Sequence, residues 1–75
     1  MNATPPLLGR QFGKVVRHWR RQHRWSQEAL AERADLNRSY LGEIERGDAM
    51  PSLDTAAKLA RALGVKLSEL ITFCE

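Results

Sequence analysis

The sequence is short of the devices small folds use as staples. Its 75 residues include one cysteine, Cys74, so no internal disulfide framework can form. That thiol reads as free, with redox sensing as a minor alternative. No apolar run approaches the roughly 20 residues of a membrane-spanning helix. The start, MNATPPLLGRQFG, lacks the charged head and apolar stretch of a secretion signal. These absences lead us to expect a protein of the reducing cytoplasm that does not touch membrane. His18, His23 and Cys74 lack metal-ligand spacing, so no metal is expected, nor any other cofactor or small-molecule ligand. Ser26 near His23 has no oriented acid and no oxyanion turn beside it, which argues against an enzyme. β-Branched residues are few and do not alternate, which removes strands from consideration.

Acid is missing from the first third of the chain. Residues 1–25 hold six of the twelve basic residues (Arg10, Lys14, Arg17, Arg20, Arg21, Arg24) and no Asp or Glu. The remainder holds six basic residues against nine acidic ones, a net −3. Such an edge suits a polyanion such as nucleic acid. On charge alone, a solvated helix face is an equal reading.

The pattern is helical throughout, and the length allows one domain of 8–75 behind a loose arm at 1–7, which contains Pro5 and Pro6. A first helix is expected over about 8–23, with Phe12, Val16 and Trp19 as its buried stripe. The second starts at the N-cap Ser26 and runs to about Ala34, with Leu30, Ala31 and Ala34 inward and Trp25 and Leu30 as a hydrophobic staple. The third repeats the device with Asn37 as cap and Leu36 and Leu41 around it, buries Leu41 and Ile44, and stops at Gly47. A fourth opens at Pro51 and Ser52 and ends at Gly64, with Leu53, Ala56, Ala60 and Leu63 as its stripe. A short fifth is expected at about 66–72.

Only about three residues, Asp35 to Asn37, join the second and third helices. So short a link forces a steep crossing, and Ala31 is the small residue such a crossing needs. With apolar Leu30, Ala34, Leu36, Leu41 and Ile44 in place, the region of about 26–46 reads as a helix-turn-helix. Opposite Leu41 and Ile44, the third helix presents Arg38, Ser39, Gly42, Glu43 and Arg46. An arginine in its first turn can hold guanine O6 and N7 with two parallel bonds. Ser39 can pair with several bases, and Glu43 can accept from cytosine N4. The N-termini of the second and third helices offer backbone N–H groups to phosphates. Gly42 sacrifices helix propensity, and we expect it to clear room for DNA or for the Arg38 side chain.

The stretches RQFGKVVRHWRR, WSQEALAERADLNRSYLGEIERG and PSLDTAAKLARALGVKLSEL together resemble the lambda-repressor-like, XRE-type family of helix-turn-helix DNA-binding proteins. Within it, NRSYLGEIERG is most similar to small controller proteins of restriction–modification systems. The resemblance implies an all-α, compact five-helix domain whose third helix enters the major groove of double-stranded DNA. It places Arg38, Ser39 and Glu43 at base-reading positions. It places Gln27, Tyr40 and Arg46 at phosphates, with Gln27 also steadying the recognition helix. It matches Arg20 and Glu45 to a structural ion pair. Ser26 is a cap first and a phosphate contact second, and Arg17 and Arg21, which share a face with Lys14, lean toward the DNA backbone. Departures from the family pattern are Asp35 and Arg24 at usual glycines, Trp19 and Trp25 at smaller aliphatics, Asp48 at a usual lysine, and Lys66 at a usual serine cap.

One such domain reads few base pairs, so a homodimer on a palindromic operator is expected. No separate dimerisation domain fits in 75 residues. Leu67, Leu70, Ile71 and Phe73 crowd the last helix; Leu67 and Leu70 are expected to finish the core, Ile71 and Phe73, with Leu70, are the candidate dimer contacts, and the alternative is that all four fold inward. The function expected is a transcriptional regulator, and the resemblance to controller proteins implies its own promoter as a target. The alternative is an antitoxin or another protein-binding module that keeps the helix-turn-helix as scaffold.

Overall fold

The computed structural model describes residues 5–74, with side chains from Leu8 onward. Five helices follow in order: α1 (Pro5–Gln22), α2 (Gln27–Arg33), α3 (Arg38–Arg46), α4 (Leu53–Leu63) and α5 (Leu67–Thr72), with no strand among the described residues. None is long and apolar enough to cross a membrane. The arm expected at 1–7 falls outside the described residues at 1–4. α1 begins three residues before the expected start. Prolines fit its first turn because backbone nitrogens there have no intrahelical partner to lose.

The caps act by direct bonding. Ser26 Oγ accepts from the Ala29 N–H at 3.0 Å, Asn37 Oδ1 from Ser39 at 2.8 Å, and Ser52 Oγ from Thr55 at 3.1 Å. Gly47, at φ 81°, closes α3 in the left-handed conformation. Two residues with Cβ atoms also take that conformation, Arg24 at φ 59° and Asp35 at φ 56°. Asp35 reverses the chain between α2 and α3, and Leu36 N–H then closes the turn on Ala31 O at 2.8 Å. Lys66 has no lone pair with which to cap α5. Glu69 reaches back instead and accepts the Lys66 N–H at 2.8 Å.

The core joins Phe12 and Val16 of α1, Leu30 and Ala31 of α2, Leu41 and Ile44 of α3, Leu59 and Leu63 of α4, and Leu70 of α5. Two expectations, on Leu53 and Leu70, are corrected here. Leu53 is 75% exposed, because at the first turn of α4 it projects past the edge of the domain, and Leu59 takes the core position instead. Trp25 packs half-buried against the rim of the core. Its ring stacks on His23 at 4.3 Å and carries the Arg33 guanidinium over its face at 4.3 Å, while His23 Nε2 bonds to Leu63 O at 2.8 Å. Leu70 is fully buried, so it cannot be the dimer contact it was offered as.

α1 packs chiefly on α3. Gly13 makes this possible: a Cβ there would collide with Ile44 O and lie 2.6 Å from Glu45 O. Backbone oxygens cannot rotate away as a side chain can. Gly13→Ala is therefore expected to destabilise the fold by about 1–3 kcal/mol despite its better helix propensity. A domain of this size should then melt lower by about 4–8 °C per kcal/mol, readable by circular dichroism. An unchanged melting temperature would mean that α1 stands further from α3 than described.

Candidate nucleic-acid interface

α3 is a helix with one dry face and one wet face. Leu41 and Ile44 have no exposure, whereas Arg38, Ser39, Glu43 and Arg46 are exposed on the other side. Between the faces sits Glu45, whose side chain is fully buried. Arg20 of α1 holds it with two bonds, Nε to Oε2 at 2.7 Å and Nη2 to Oε1 at 3.0 Å. Gln27 of α2 donates to Oε1 at 3.0 Å, and Arg17 stands 3.6 Å from the same oxygen. Arg20 also donates through Nη1 to Trp25 O at 2.8 Å. Burial pushes the Glu45 carboxyl upward, but bonds from Arg20 and Gln27 and the charges of Arg20 and Arg17 outweigh it and hold the carboxyl below its ordinary value. One carboxylate thus ties three helices at the root of the presented face.

The expected site residues divide by how far they are committed inside the protein. Arg38, Ser39 and Glu43 share the open face, and none makes a side-chain hydrogen bond or ion pair among the described residues. Gln27 is half-buried and engaged with Glu45, so its steadying part is the one visible in the geometry. Ser26 is exposed, with its oxygen occupied as a cap. Tyr40 turns to the flank of α3 and packs at the rim of the core, off the row of Arg38 to Arg46. Arg17 is partly consumed by Glu45, while Arg21 is exposed without a carboxylate among the described residues. At the end of α5, Ile71 is 39% and Phe73 is 64% exposed.

Of the two roles expected for Gly42, that of making room for Arg38 is corrected. The space of its missing side chain is taken by Arg46, whose Nη1 lies 3.2 Å from the point a Cβ would occupy, and by the Gln27 amide at 3.7 Å, not by Arg38. Arg38 lies one turn toward the N-terminus, and helical side chains lean in that direction, away from Gly42. Because only the end of the exposed Arg46 side chain would have to give, by a few tenths of an ångström, Gly42→Ala is expected to stabilise the fold by up to about 1 kcal/mol in thermal melts. A clear loss of stability would show the site to be rigidly filled.

Two features were not foreseen. Asp48, which stands at a usual lysine of the family, accepts from Arg46 Nε at 3.0 Å. Arg10 joins Lys14, Arg17, Glu45, Arg46 and Asp48 around a recess between α1 and the end of α3. A signal for Arg10 exists in the sequence: residues 10, 14, 17 and 21 are all basic and recur at helical spacing.

Comparison with known proteins bears on this geometry. Residues 16–70 match the family model described as helix-turn-helix. The control protein C.BamHI of Bacillus amyloliquefaciens is 44% identical over 63 residues, covering 83% of this chain and 78% of that protein. The immunity repressor protein of Bacillus phage phi105 is 41% identical over 59 residues, which cover 79% of this chain but only 41% of the repressor. Among solved structures, the restriction-modification controller protein C.AhdI from Aeromonas hydrophila superposes with a TM-score of 0.81 at 42% identity, covering 83% of this chain and 94% of that one.

Proposed function

The chain belongs to the XRE-type helix-turn-helix family, and from that premise we propose that it is a sequence-specific, double-stranded-DNA-binding transcriptional regulator whose α3 enters the major groove. The observation that carries this is the division of α3: its inner face is packed to zero exposure, while Arg38, Ser39 and Glu43 stand outward with no partner among the described residues. A helix so firmly seated holds its outer side chains in a fixed pattern, and a fixed pattern of donors and acceptors is what base edges require.

In this reading Arg38 pairs with guanine, Ser39 adds weak selectivity, and Glu43 accepts from cytosine N4. Ser26, Gln27, Tyr40 and Arg21, with the free part of Arg17, set the register on the phosphates. Two copies bind a palindromic operator with half-sites about 34–36 Å apart, joined through the exposed Ile71 and Phe73. Similarity to proteins called control and controller proteins supports the protein's own promoter as the operator.

Selection from a random DNA pool tests the reading. The expected outcome is a two-fold symmetric consensus, with two chains per duplex in sedimentation and affinity falling steeply with salt. Recovery of no consensus would remove the regulator proposal and favour a protein-binding module. A consensus without symmetry, bound by one chain, would remove the dimer alone.

A further inference from the structure

Arg46 belongs to the last turn of α3, yet its guanidinium does not lie at the helix end. Helical side chains lean toward the N-terminus, and Nη1 lies over Gly42, one turn back, 3.2 Å from where a Cβ would stand. Nε donates to Asp48 Oδ2 at 3.0 Å. The Asp48 backbone is held in place, because its N–H bonds to Glu43 O at 2.8 Å across the left-handed Gly47. A carboxylate beyond the helix and a missing side chain within it together lay the guanidinium along the outer face. With Nε occupied, the Nη1/Nη2 edge still offers two parallel N–H groups.

DNA can meet that edge with a phosphate or with a base. A phosphate would bring a full negative charge beside the Asp48 carboxylate, and that repulsion offsets part of its attraction to the guanidinium. Guanine O6 and N7 are neutral acceptors with the spacing of two parallel N–H groups, and they meet no such penalty. We propose that Arg46 reads a base, as a second specificity-determining residue beside Arg38, and that Asp48 and Gly42 are the residues that position it. This departs from the phosphate role that the family resemblance implies for Arg46, and it rests on the DNA-binding reading above.

The test compares variants on the consensus selected by the unaltered protein and on singly mutated sites, across a salt series. Arg46→Ala is expected to lose about 5- to 150-fold of discrimination at one base pair per half-site, with little change in the salt slope. Arg46→Lys keeps the charge but not the paired edge, and is expected to lose the same preference. Asp48→Asn frees the guanidinium for phosphates, so discrimination at that position falls while binding to random DNA tightens. Gly42→Ala makes the guanidinium give by a few tenths of an ångström without weakening the fold and should reduce the same preference, which separates positioning from stability. Uniform weakening of Arg46→Ala on all sequences, with the salt slope reduced by about 0.9 per half-site, would make Arg46 a phosphate contact and overturn the proposal alone. Full preference retained by Arg46→Lys would overturn it too. If the unaltered protein selects no DNA at all, the DNA-binding reading fails and this inference with it.

Discussion

Arg20→Ala is expected to lower the stability of the fold by about 3–5 kcal/mol, the range for breaking one partner out of a buried pair. For 75 residues the whole stability is about 4–11 kcal/mol, so a large fraction of molecules should be unfolded at moderate temperature. The loss comes less from attraction forgone than from Glu45 being left charged in a site with no solvent access. Gln27 and Arg17 remain within reach and place the effect toward the lower end. Removing both partners, as Arg20→Met with Glu45→Leu, should recover much of the loss, because no buried charge is then left alone. Chemical denaturation of the two singles and the double gives the coupling directly. Additive effects would show that the pair does not interact.

The same carboxylate predicts a pH dependence. Its folded value is lowered, so the folded chain holds this proton less tightly than the unfolded chain does. Its contribution is complete above the ordinary value of 4.5 and drains away as pH falls from there through the folded value. Denaturation at pH 7 and at pH 3 should show this decline in the unaltered protein and a weaker decline in Arg20→Ala.

Arg38→Ala is expected to remove sequence preference at one base pair of each half-site. A bidentate arginine–guanine pair is worth about 1–3 kcal/mol, so a symmetric site loses about 2–6 kcal/mol of discrimination. The side chain is exposed and has no internal partner among the described residues, so melting should be unaltered. That separates it from Arg20, whose loss acts through the fold. Competition between the selected site and one carrying A·T in place of the contacted G·C measures the effect. Equal discrimination by both proteins would remove Arg38 from the reading set.

Helix ends were legible in the sequence because caps act locally. Ser26, Asn37 and Ser52 bond to backbone two or three residues away, and Gly47 and Gly64 need only their own φ, so each boundary is written in a few neighbouring residues. The dry face of α3 was legible for the same kind of reason, since Leu41 and Ile44 follow helical spacing. What could not be read depends on partners distant in sequence. Leu53 and Leu59 both fit a helical stripe, and only the placement of the other helices exposes one and buries the other. Gly13 looks like an ordinary weak helix residue until the Ile44 and Glu45 carbonyls arrive from α3. Arg20 with Glu45 was anticipated from resemblance, but Gln27 and Arg17 joining the same carboxylate follow from the crossing of three helices. The open face itself shows which side chains are presented, while the bases they meet belong to DNA.

The two left-handed residues with side chains, Arg24 and Asp35, have a consequence for how this domain can change over generations. Each holds its backbone where a Cβ is crowded, at roughly 1–2 kcal/mol, and glycine would relieve most of that at some entropic loss. Neither lies in α3, so relief at either position leaves the presented row in place. The protein thereby carries two ready compensations. A substitution on α3 that alters operator choice but weakens the fold can be rescued by one change to glycine elsewhere. Strain at these turns is in this sense a reserve of mutational tolerance, available when recognition drifts.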